Sequence, residues 1–112
     1  MITAIIKQSE AGAYKGFDIS GHALFSQAMK TEKDVVCASV SVLVINTINV
    51  LEELTDLGFS YEADENKGSI TCSFEDNLNE KERFLLDAMV FGLENISKQY
   101  GKKFLRLEFE EV

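Results

Sequence analysis

The chain has 112 residues, 46% hydrophobic and 27% charged, with no proline or tryptophan and a formal net charge of −8. That length suits one domain able to hide roughly two-thirds of the surface its unfolded form exposes, and the composition excludes disordered and fibrous classes. The acidity leaves no clustered basic face to displace counterions from a nucleic-acid backbone, so it argues against nucleic acid and suits a basic protein partner.

One histidine and two distant cysteines give no recognisable metal-ligand spacing, and no metal or other cofactor is expected. The segment Met1 to Lys7 has neither a basic n-region nor an extended apolar run, and does not read as a secretion signal. The longest uncharged run, Val35 to Leu51, includes Asn46 and Asn49 and reads as short and polar for a membrane span. These features predict a cytoplasmic protein away from the membrane, with both thiols reduced.

Residues Ile2 to Gln8 and Tyr14 to Ser20 have strand-like content around a turn at Ser9-Glu10-Ala11-Gly12, a first hairpin. Its second strand ends at Gly21 and His22. Leu24 to Lys33 is compatible with a short helix or a loop. Asp34 then serves as a helix N-cap, with Cys37 at the third helical position and the helix running to Leu57 before Gly58. Val40, Leu43, Val44, Thr47, Ile48, Leu51 and Leu54 make one stripe along it, and Val42, Ile45 and Asn49 a weaker second one. A helix apolar on two sides is either covered by a partner subunit as well as by a sheet, or is the central core helix of a monomer.

Phe59 to Asp64 and Ser69 to Phe74 flank Glu65-Asn66-Lys67-Gly68 as a second hairpin, whose alternation places Cys72 among the core residues. Asn79 caps a second helix, with Glu82 three residues on, and Leu85, Leu86, Met89, Leu93, Ile96 and Tyr100 form its apolar face up to Gly101. Lys103 to Val112 is a last strand. The order β-β-α-β-β-α-β defines an α+β two-layer sandwich: an antiparallel or mixed sheet with two helices packed on it, in one domain over residues 1–112.

The chemistry concentrates at two element ends. His22 follows a glycine at a strand terminus, and Cys37 stands fifteen residues on, at the start of a helix whose dipole and unpaired N–H groups favour a thiolate. Together they supply what thiol attack on a peptide carbonyl requires. Cys37 is the nucleophile, backbone N–H groups near Cys37 and Ala38 receive the oxyanion, and His22 protonates the departing amine. Asp34 either caps the helix or orients His22. Ser39 and Ser41, without a second histidine to activate them, are helix-start or cleft residues. The alternative is a non-catalytic assembly protein in which His22 and Cys37 are only packed; a thiol redox role would need Cys72 as its resolving partner.

Gly21-His22-Ala23 and Asp34-Val35-Val36-Cys37-Ala38-Ser39-Val40-Ser41 resemble the paired motifs of the ribosomal-processing cysteine proteases, the Prp family. The resemblance implies a Cys-His dyad of Cys37 and His22; Gly21, Asp34, Ala38 and Ser41 are the expected supporting residues. It further implies a homodimeric endopeptidase that removes an N-terminal extension from the bacterial large-subunit ribosomal protein numbered twenty-seven, in support of ribosome assembly. One difference stands out: Leu24 to Lys33 holds no glycine and is longer than the family's usual connection, as a lid or as ordinary variation in a surface loop.

Overall fold

The computed structural model describes residues 1–21 and 32–112, with the backbone alone for 32–34. Its elements are β1 (Ile2–Gln8), β2 (Tyr14–Gly21), α1 (Glu32–Leu54), β3 (Phe59–Asp64), β4 (Ser69–Phe74), α2 (Glu80–Tyr100) and β5 (Leu105–Glu111). The expected order and the α+β class are those observed. The five strands form one mixed sheet in the order β3-β4-β2-β1-β5, antiparallel except where β1 meets β5.

The two hairpins form where their turns permit it. Ser9 N–H donates to the Ala13 carbonyl at 2.8 Å and Gly12 takes a φ of 86°, while Gly68 closes the second turn at a φ of 62°. Both dihedrals lie in the left-handed region that glycine adopts without a Cβ penalty. Period-two alternation then sorts the sheet. Ala4, Ile6, Phe17, Ile19, Ile70 and Cys72 are buried on one side. Against them pack Val40, Val44, Ile48 and Leu51 of α1 and Leu86, Met89 and Leu93 of α2, forming one core cluster. Each such side chain contributes roughly 1.5–3 kcal/mol by leaving water.

α2 starts as its sequence prescribes. Asn79 Oδ1 accepts from Glu82 N–H at 2.8 Å while Glu82 Oε1 accepts from Asn79 N–H at 2.9 Å, a complete capping box.

α1 differs from expectation at both ends. It begins at Glu32, two residues before Asp34, because Glu32 and Lys33 are themselves good helix formers. Asp34 is therefore inside the helix rather than its N-cap, and Cys37 is its sixth residue rather than its third. The helix ends at Leu54, before Leu57, where the Thr55 hydroxyl donates to the Leu51 carbonyl and accepts from Leu57 N–H, turning the chain. Gly58 does not cap it; its carbonyl accepts from Glu75 N–H at 2.9 Å beyond the far end of β4. Leu54, expected in the buried stripe, is 71% exposed.

Val35–Leu54 has the length and apolar content of a membrane span, contrary to the sequence reading of that run. In this fold much of its apolarity faces the sheet and α2. The last strand is shorter than its alternating pattern, since Phe104 and Leu105 N–H groups both turn back to the Gly101 carbonyl.

Candidate active site

β2 carries the chain to Gly21, opposite Ile2 of β1. Gly21 N–H donates to the Gly68 carbonyl at 3.1 Å. A Cβ at Gly21 would stand 2.7 Å from Ile2 Cα and 2.8 Å from the Met1 carbonyl oxygen, so this position admits no side chain without backbone movement. The residue ahead of His22 is thus fixed by packing. His22 and positions 23–31 lie outside the described residues; of the segment Leu24 to Lys33, whose helix-or-loop character the sequence left open, Glu32 and Lys33 belong to α1.

Across that connection, α1 carries the rest of the candidate site. Cys37 is 1% exposed and belongs to the core cluster with Val36 and Val40. The sequence placed this thiol among the unpaired N–H groups of a helix start; in the structure it is inside the core. The reason is helical phase, since Cys37 projects with Val40, Val44 and Ile48 toward the sheet. Ser41, also buried, donates from Oγ to the Cys37 carbonyl at 2.8 Å, and Ser39 does the same to the Val35 carbonyl at 2.8 Å. Both hydroxyls are engaged in i−4 bonds to the helix backbone. Ala38 is half-buried beside Ser39, Val42, Leu43 and Asn46 in a shallow surface groove.

The earlier helix start changes the electrostatics expected here. The unpaired N–H groups of a helix are its first four, and the dipole's influence falls off within the first turn. With α1 beginning at Glu32, the N–H groups of Cys37 and Ala38 lie inside the helical hydrogen-bond ladder, bonded to carbonyls four residues back. They are not the open donor pair that the sequence suggested. The backbone of Asp34 is in the first turn, where an acidic residue is favoured.

Cys72 falls where its alternation put it. It is 1% exposed on β4, between Phe17 of β2 and Tyr61 of β3, and burial pushes its thiol up from 9.0 to about 12. No group of His, Cys, Asp and Glu able to hold a metal occurs among the described residues.

A two-layer α+β fold with a mixed five-stranded sheet, carrying a histidine after the β2 glycine and a cysteine in the first long helix, has the layout of a small cysteine protease. The model of the cysteine protease Prp family matches residues 1–104, and the chain belongs to that family. It is 29% identical to the ribosomal processing cysteine protease Prp of Bacillus subtilis over 110 residues, 89% of this chain and 90% of that one. The crystal structure of the S. aureus ribosomal processing protease Prp with a covalently linked product peptide superposes with a TM-score of 0.82 at 25% identity, covering 98% of this chain and 100% of the other. A Streptococcus mutans protein of solved structure gives 0.83 at 27% identity, over 100% and 99% of the two chains.

Proposed function

We propose that this protease cleaves the N-terminal extension of the large-subunit ribosomal protein numbered twenty-seven, in the cytoplasm, with Cys37 as nucleophile and His22 as its acid–base partner. The Cys37 thiolate attacks the scissile carbonyl, His22 gives a proton to the leaving amine, and a thioester forms. Water, deprotonated by His22, then releases the acid and restores the thiol. Asp34 acts on the first turn of α1 or on His22. Gly21 keeps the chain close at the β2 end, and Ala38 and Ser41 support the turns that carry Cys37.

The family match carries this reading, because it spans both the Gly21-His22-Ala23 and the Asp34-to-Ser41 segments. The peptide covalently linked to the S. aureus protein supports a covalent route. The net charge of −8 suits a basic ribosomal substrate. Since Cys37 is 1% exposed, turnover requires local opening around it.

The protein acts as a homodimer. Val42 at 69%, Phe84 at 71% and Phe91 at 63% exposure leave an apolar outer face on the helix layer, which a second subunit would cover. Incubation with the extended ribosomal protein of the same organism, read by intact mass, is expected to give one shortened product; an unchanged mass would overturn the assignment.

A further inference from the structure

A groove of about 150 Å³ runs between α1 and the sheet margin, lined by Ile45, Ile48, Asn49, Tyr61, Ala63 and Ile70. A cavity of that size with such walls holds a benzene-sized group. One of its walls is a sheet edge: β3 pairs only with β4 among the described residues, leaving its outer row of N–H and C=O groups open to another strand. Ser60, Tyr61, Glu62 and Ala63 along it are all exposed.

Three observations identify the occupant. First, the groove lies along the same stripe of α1 as the candidate nucleophile: Cys37, Ser41 and Ile45 follow one another at i+4, the first two buried and Ile45 lining the groove. Eight residues of helix separate Cys37 from Ile45, about 12 Å, which an extended chain covers in about four residues. Second, Ser69 of β4 pairs with both Asp64 of β3 and Ser20 of β2, so the Asp64 end of the open edge and the β2 end that leads to His22 share one side of the sheet. Third, the chain from Ile45 to Lys67, which builds most of the groove, carries acids at Glu52, Glu53, Asp56, Glu62, Asp64 and Glu65 against the single base Lys67. The opposite edge, β5, lies beside α2 and a surface of mixed charge, where Lys98, Lys102 and Arg106 stand with Glu94 and Glu108.

We propose that the substrate adds to β3 as an extended, basic strand and seats one side chain of leucine or phenylalanine size in this groove, about four residues from the bond that is cut. Backbone pairing supplies affinity and the groove supplies selectivity, the division found in strand-addition recognition. The proposal rests on Cys37 as the nucleophile for its distance to the cut, whereas the groove's preference is measurable without turnover.

The test uses two fluorescein-labelled decapeptides, with Leu and Phe spaced by Lys in one and by Glu in the other, titrated by anisotropy onto the Cys37→Ala protein. The Lys peptide is expected to bind at least tenfold tighter. Ala63→Trp, an exposed position that would fill the groove, should weaken it at least tenfold, and Ile45→Ala should weaken it by a smaller factor. Circular dichroism of each variant should stay unchanged. In the Ala63→Trp protein that retains Cys37, the rate of thiol alkylation should also hold. Equal binding of the two peptides, or binding within twofold after Ala63→Trp, overturns the proposal. So does a change in sedimentation with peptide binding intact, which would make the groove a seam between copies. If the wild-type protein cuts no ribosomal precursor yet these preferences appear, the groove stands and the catalytic reading falls.

Discussion

Two thiols in this molecule are equally hidden, each 1% exposed, yet they sit in different mechanical settings. Cys72 is in a strand paired on both flanks, to Phe17 and to Tyr61, so exposing it means breaking two ladders in the middle of a sheet. Cys37 is one and a half turns into a helix, held by i−4 bonds that break locally. Burial alone therefore does not separate a structural thiol from a reactive one; the element that must open does.

Replacement of each thiol is the strongest test of that contrast. Cys37→Ala should lower cleavage of the extended ribosomal protein at least about a thousandfold, the scale of losing a nucleophile, while Cys72→Ala leaves the rate within about twofold. Equal losses, read by intact mass over time, would erase the distinction. His22→Ala is expected to cost about 10²- to 10⁴-fold in the same assay, the usual contribution of a general acid–base; a smaller loss assigns proton transfer to another group.

Alkylation sharpens the comparison without substrate. At pH 7.5, iodoacetamide followed by peptide mapping should label Cys37 in the native protein and Cys72 only in urea. Stability at high pH isolates Cys72. Its thiol is pushed up to about 12 when folded, so the folded state favours the neutral form, and this stabilisation is complete below pH 9.0 and lost as pH rises toward about 12. Tyr14, raised by burial and by its hydroxyl's bond to Asp87, titrates in the same direction. Denaturant midpoints for wild type should consequently fall more steeply across that window than those for Cys72→Ala, and parallel curves would refute the cause. The smallest effect belongs to Asp34→Asn, which should slow cleavage by less than about tenfold, as expected of a first-turn charge; a loss matching Cys37→Ala would make Asp34 indispensable.

The sheet was readable from the sequence because period two leaves little freedom: Ile70, Cys72 and Phe74 can share a face only as a strand, and Gly12 and Gly68 mark turns by dihedrals other residues avoid. α2 was equally readable, since Asn79 and Glu82 start it with side chains that bond the backbone and Gly101 stops it at a φ of 105°. α1 was not. Glu32 and Lys33 extend it through ordinary propensity, with no signal at Asp34 strong enough to hold the boundary, and Thr55 ends it by a hydroxyl contact that no spacing rule announces. That shift of three residues moved Cys37 beyond the open donors of the helix start, while its phase with Val40 and Val44, which the start does not alter, turns it into the core. The paired segments around His22 and Cys37 carried the family; local sequence could not tell how deeply the sulfur lies.

The parallel pairing of β1 with β5 has a consequence for the order of assembly. Ile2–Gln8, the first strand made, finds one neighbour at once in β2 and its other only when Leu105–Glu111 arrives. Until then its outer margin is bare, so the final closure of the sheet is a long-range event, slow relative to the hairpins. During synthesis, the half-built molecule presents that margin to whatever is nearby.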